Sequence, residues 1–300
     1  MPTRRGFAKL TLLPFVAAGS VMAAGCRAAA AQDRLAKLED AFAKLETESG
    51  GRLGVAVLDT ESGALIGHRA DERFPMCSTF KLLAVSALLG EVDAGRQQLA
   101  TRIRIEPRDV LSYAPVTKQH VGAEGMSLAE LCDAAITWSD NTAANLILSR
   151  LGGPATVTRY ARGLGDELTR LDRNEPDLND ATPGDPRDTT TPAAMANNLK
   201  ALAFGSSLSA PAREQLVTWL VGCKTGDARL RAGLPKGWRV GDKTGSGNHG
   251  SANDVAVVWP EGHAPIVIAV YLTETAAQDD KRNATYASIG RAVAAAVGMR

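Results

Sequence analysis

Five stretches of this chain have strand character, and all of them sit near its two ends. Arg52 to Asp59 alternates Leu53, Val55 and Val57, and after a Glu61-Ser62-Gly63 turn Ala64 to His68 completes the pattern of a hairpin. Strand character returns at Trp238 to Thr244, Asp254 to Trp259 and Ile266 to Thr273, whereas Ser78 to about Thr225 reads mainly as helix. Strands so far apart find partners by meeting in one sheet, which predicts an antiparallel sheet assembled from both ends with a helical lobe inserted. Terminal helices are expected at Asp33 to Ser49, where Leu35, Leu38, Phe42 and Leu45 recur at three- and four-residue spacing before Gly50-Gly51, and at about Gln278 to Val297. The expected fold is α/β and two-lobed: a five-stranded antiparallel sheet flanked by terminal helices (32–70 and 226–300) and an inserted all-helical lobe (71–225). A cleft between the lobes is the expected site.

Within the insert, Ser127-Leu128-Ala129-Glu130 is a capping box opening a helix through Ile136, and Gly152-Gly153-Pro154 ends one helix and starts another. Another helix is expected from about Pro211 to Val221. Arg170 to Pro192 is rich in Asp, Asn, Pro and Thr and has almost no apolar periodicity, so it is expected to be a long ordered loop, of the kind that usually serves function.

The chain has 300 residues, 45% apolar and 22% charged, which is globular composition, and its net charge of +1 lacks the single-sign field of a non-specific nucleic-acid binder. Thr3-Arg4-Arg5-Gly6-Phe7-Ala8-Lys9 precedes the apolar run Leu10 to Gly25, shorter than the roughly 20 residues of a spanning helix. Twin arginines before such a run read as an export signal for folded proteins, so 1–31 is taken as a leader, 32–300 as the exported domain and the periplasm as its destination. Ala23-Ala24-Gly25-Cys26 resembles a bacterial lipoprotein processing site, with a cut among Ala28 to Ala31 as the alternative; a lipid on Cys26 would be the membrane attachment. With Cys26 in the leader, Cys77, Cys132 and Cys223 are an odd set and are expected to be free, buried thiols. His68, His120, His249 and His263 lack metal-ligand spacing and no phosphate-cradling glycine loop precedes a helix, so no metal or cofactor is expected.

Ser78-Thr79-Phe80-Lys81 stands directly before the apolar run Leu82, Leu83, Val85, Leu88, Leu89. One helical turn puts the amine of Lys81 over the hydroxyl of Ser78, where it can hold or take the proton, and the helix start favours developing negative charge. Alone, this pattern reads as well as a serine opening a helix with a solvated lysine. Ser139-Asp140-Asn141 joins two helices, where polar residues are usually caps. Lys243-Thr244-Gly245-Ser246-Gly247 ends a strand with a cation, two hydroxyls and two glycines that admit a ligand to the backbone, and alone could be a hairpin end. His249 lies close enough to that end to touch a ligand there.

In this order, the three motifs resemble the serine penicillin-recognising enzymes, and over about residues 33–298 their spacing resembles the class A β-lactamases. The resemblance implies hydrolysis of the β-lactam amide of penicillins and cephalosporins by a serine acyl-enzyme, hence antibiotic resistance, in a monomer whose partners are small molecules. It implies Ser78 as nucleophile, Lys81 and Glu175 as proton carriers, Ser139 as relay to the leaving nitrogen, and Lys243 as a tuning charge. The backbone amides of Ser78 and Ser246 would form the oxyanion hole, Asn141 would hold the acylamido side chain, and Thr244 and Ser246 the carboxylate. Tyr113 would line the wall. Glu175-Pro176-Asp177-Leu178-Asn179 lies in the long loop, and a single helical turn there would aim Glu175 and Asn179 at one water. Arg173 and Asp188 resemble the ion pair that closes this loop.

Departures from the family pattern carry expectations of their own. Where many members place an arginine nine residues beyond the K-T-G lysine, this chain has Ala252, and Arg229 is expected to supply the guanidinium instead. Cys132 would pair with the position of Val85, and Cys77 with that of Gly247, so neither family disulfide can form. Two further classes use the same serine: a peptidoglycan DD-peptidase and a receptor domain that is merely acylated. Glu175 with Asn179 discriminates, because a hydrolase must pass its acyl group to water.

Overall fold

The computed structural model describes residues 37–298; the leader expected at 1–31 lies outside them. A helix over residues 37–49 (α1) leads into β1 (Arg52–Asp59) and β2 (Leu65–His68), which pair as the expected hairpin. The other three strands of the sheet are β7 (Arg239–Ser246), β8 (Ala252–Trp259) and β9 (Ile266–Thr273), in the order β2-β1-β9-β8-β7, every pair antiparallel. β1 thus lies beside β9, with Val55 opposite Val270, so the two ends of the chain share the middle of one sheet.

Both faces of that sheet are covered, which is why its strands are almost continuously apolar. Leu53, Val55 and Val57 share one cluster with Phe42 of α1 and with Tyr286 and Ile289 of α9 (Asp279–Gly298). Ala56, Leu58, Val267, Ala269 and Tyr271 face the other way, onto α6 (Pro192–Phe204) and the inserted helices. At the centre of the insert runs α2 (Phe80–Asp93), whose residues Phe80 to Leu89 are all buried, the state of a helix apolar on every side. Around it pack α3 (Leu128–Thr137), α4 (Asn141–Leu151), α5 (Pro154–Gly163) and α7 (Ala210–Val221). Ser127 caps α3 in the expected box with Glu130, and Gly152, at φ +90°, ends α4 just before Pro154 opens α5.

The insert adds two short ribbons to the helices expected of it: β3 (Phe74–Pro75) pairs with β6 (Thr189–Thr190), and β4 (Arg102–Ile105) with β5 (Gly122–Ser127). Arg-Ile-Arg-Ile alternates over only four residues, too few to declare a strand, and the β4–β5 register shifts between Ile103 and Ile105. The β3–β6 pair fastens the far end of the 170–192 loop to the chain just before Ser78.

Candidate active site

Ser78 lies in the single 3-10 turn Cys77–Thr79 that opens directly into α2. Lys81, in the first turn of α2 and with no solvent exposure, donates from Nζ to Ser78 Oγ at 2.8 Å, to Asn141 Oδ1 at 2.6 Å and to Ser139 O at 2.8 Å. Its nitrogen also stands 2.9 Å from Glu175 Oε1, which accepts from Ser78 Oγ at 3.1 Å. Burial lowers the Lys81 pKa, and the charge of Glu175 opposes that shift. Hydroxyl, amine and carboxylate are therefore in mutual contact, although 97 residues separate Ser78 from Glu175.

Ser139 and Asn141 flank the residue that fixes their turn. Asp140 caps α4 by accepting from Ala143 N at 2.9 Å, and also accepts from the amides of Val116 and Thr117 and from the Thr117 hydroxyl. The cap reading of this motif holds for Asp140, which ties the turn to the segment carrying Tyr113. Ser139 takes a left-handed φ of +58°, and its Oγ accepts from Lys243 Nζ at 2.9 Å. Lys243 is buried in β7; that burial, aided by the nearby charge of Lys81, brings its pKa down to about 7.

Glu175 is gripped at both its side chain and its backbone. Asn179, at the end of the short turn Asp177–Asn179, donates from Nδ2 to Glu175 Oε2 at 2.5 Å, so the two side chains expected to share one water also bond to each other. Asn179 Oδ1 is buried and accepts no hydrogen bond from the protein. Asn145 holds the backbone of Glu175 twice, donating to its carbonyl at 2.8 Å and accepting from its amide at 3.0 Å. Sequence reasoning did not single out Asn145; its place four residues after Asn141, on the same helix face, was the available signal. Arg173 Nε donates to Asp188 Oδ2 at 2.6 Å, as expected, and its Nη1 to Asp180 Oδ2 at 2.6 Å.

The opposite wall is the end of β7. A Cβ on Gly245 would stand 2.9 Å from Met76 O and 3.2 Å from Ser78 N, so glycine lets this strand close on the backbone at Ser78. Arg229 donates to Gly245 O and Ser246 Oγ, each at 2.8 Å, and to Asn253 O at 2.5 Å, with its guanidinium 5.6 Å above the centre of the Tyr286 ring. Its guanidinium thus stands at Ser246, the residue opposite Ala252 in the β7–β8 pair. Thr225, another residue the sequence did not flag, shares a 2.5 Å hydrogen bond with Thr244. The cleft, about 330 Å³, is lined by Ser78, Tyr113, Ser139, Asn141, Asn179, Thr225, Arg229 and Thr244 to Ser246. His249, exposed on the turn after β7, is outside that wall. Cys77, Cys132 and Cys223 are free and buried, and a Cβ on Gly247 would come within 2.6 Å of Cys77 Sγ, which places the two side by side.

A family model described as the β-lactamase enzyme family matches residues 37–297. The Toho-1 β-lactamase of Escherichia coli is 52% identical over 249 residues, covering 83% of this chain and 85% of that protein. The AST-1 β-lactamase of Nocardia asteroides is 54% identical over 257 residues, covering 86% and 83%. Among solved structures, an ancestral (GNCA) class A β-lactamase matches at 61% identity with a TM-score of 0.85, over 86% of this chain and 99% of that one.

Proposed function

Because the chain belongs to the class A β-lactamases, a family of β-lactam hydrolases that give antibiotic resistance, we propose that it works through an acyl-enzyme on Ser78 whose release depends on Glu175. The observation that carries this reading is the contact of Ser78 Oγ with both Lys81 Nζ at 2.8 Å and Glu175 Oε1 at 3.1 Å. Attack on the lactam carbonyl passes the hydroxyl proton into the Lys81–Glu175 pair. The amides of Ser78 and Ser246 take the oxyanion. As the C–N bond breaks, Ser139, linked to Lys243, gives its proton to the leaving nitrogen. It takes one back from the Lys81–Glu175 pair, Lys81 Nζ lying 3.4 Å from its hydroxyl oxygen, so Glu175 is again a carboxylate.

Asn141 commits Oδ1 to Lys81, which leaves its amide nitrogen to the acylamido group. Thr244, Ser246 and Arg229 receive the carboxylate of a penicillin or cephalosporin, and Tyr113 lines the wall. In the second half-reaction Glu175 removes a proton from a water held with Asn179, whose Oδ1 is a buried acceptor unused by the protein. That pair beside the nucleophile separates this reading from a DD-peptidase or an acylated receptor. Glu175→Ala should still acylate but fail to turn over: mass spectrometry should find a long-lived adduct on Ser78, absent from Ser78→Ala. Rapid turnover by the Glu175 variant would refute the assignment.

The enzyme acts, on the same proposal, as a monomeric domain of residues 32–300, with a sheet lobe (32–70, 226–300) and a helical lobe (71–225), in the periplasm. Residues 1–31 are its twin-arginine leader, with lipidation at Cys26 as one processing outcome. Replacing Arg4 and Arg5 by lysine should trap precursor in the cytoplasm, and fatty-acid labelling lost in Cys26→Ala would establish the anchor; normal periplasmic activity of the double lysine variant would exclude this route.

A further inference from the structure

Behind the 170–192 loop, arginines gather on three separate segments. Arg73, just ahead of β3, donates from Nη1 to Leu168 O at 2.7 Å and to Thr189 Oγ1 at 3.0 Å, and among the described residues meets no carboxylate at ion-pair distance. It lines a pocket of about 120 Å³ between the tip of the loop, β3 and the Arg52–Thr273 end of the β1–β9 pair. Arg52, Arg173 and Arg187 line the same pocket. Its carboxylates, Asp185 and Glu274, are each already paired, with Arg187 and Arg52.

A guanidinium has five N–H donors on three nitrogens, and three of these groups leave a nitrogen unused. Arg173 commits Nε to Asp188 and Nη1 to Asp180, which leaves Nη2. Arg187 commits Nε and Nη2 to Asp185, which leaves Nη1, while Arg73 leaves Nε and Nη2. The space equals about four waters' share of liquid volume, enough for a five-atom oxyanion. None of the pocket's residues lines the cleft that holds Ser78. We propose that this pocket binds a free tetrahedral oxyanion, phosphate or sulfate, and that the bound anion ties the loop, through Arg173 and Arg187, to Arg73 on the body of the molecule. Forked guanidiniums suit such an anion better than single-point cations do.

Thermal unfolding of the whole protein tests this, with inorganic phosphate or sulfate titrated against chloride at constant ionic strength. Either oxyanion should raise Tm above the chloride control, by about 3–5 °C at ten times its Kd and then in step with the logarithm of its concentration. Arg73→Met should lose the rise, and Arg187→Gln, at an exposed loop position, should lose most of it. Arg229→Ala should keep it, which separates this pocket from any anion held at the cleft. No rise beyond that of chloride, an equal rise in Arg73→Met, or a rise abolished by Arg229→Ala would each overturn the proposal.

Discussion

At Lys243 the cost of burying an ammonium meets the charge that a substrate carboxylate, held by its neighbours Thr244 and Ser246, would bring to the same strand end. Its pKa of about 7 follows from burial first and the charge of Lys81 second, and a substrate carboxylate acts in the opposite direction by favouring the charged form. As pH rises through about 7 the free enzyme loses this cation and its attraction for the carboxylate, while the substrate-bound enzyme keeps it longer. A pH–rate profile should therefore show kcat/KM falling at lower pH than kcat, with a shallower fall for an analogue without the carboxylate. Equal alkaline limbs for the two substrates would assign the titration to another group. Lys243, like Ser78, Lys81, Ser139 and Asn141, was legible in the sequence because each stands in a short contiguous motif, and the three motifs in their order resemble those of one family. Asn145 and Thr225 were not, since a lone polar residue acquires its role from a contact far along the chain, 30 residues away in the case of Asn145.

The 170–192 loop brings Glu175 to Ser78, and what holds it is largely one carboxylate. Asp188, 1% exposed, accepts from the amides of Asp172 and Arg173 as well as from the Arg173 guanidinium. Removing the cation strands a buried charge, a loss of about 3–5 kcal/mol for pairs of this type. Arg173→Ser should lower Tm, speed proteolytic cleavage within the loop and slow deacylation more than acylation. Unchanged cleavage and kinetics would show that the fastening lies elsewhere, in Asn145 or in the β3–β6 pair. The extent of this loop could be read from its missing periodicity, and so could α3, from its capping box. The β4–β5 ribbon could not, because four alternating residues carry too little pattern to outweigh the helices around them. Strand ends were blurred for a related reason: β7 runs on to Ser246 through Gly245, a residue that favours no strand yet is required there by the close approach of Ser78.

On the scale of the whole molecule, the ordering of strand-like and helix-like segments already contained the two-lobed plan, since strands from both ends had to find one another. Which strands become neighbours was less accessible, because β1 could have met any of the three C-terminal strands. The observed neighbour, β9, pairs Arg52 with Thr273, about 220 residues later. That pairing has a consequence for how the protein is made. At roughly 5–20 residues per second, the ribosome finishes β9 about 10–40 s after it finishes β1. Through that interval Leu53, Val55 and Val57 have β2 beside them but neither β9 nor the cover of α9, and the newborn hairpin depends on chaperones or on transient local collapse. Nascent chains stalled before Ile266 should be degraded quickly by added protease, and chains extended well beyond Gly298 should resist it. Resistance of the shorter chains would mean that the insert matures alone and shelters the waiting strand. Otherwise, translation must be nearly complete before this enzyme has a centre at all.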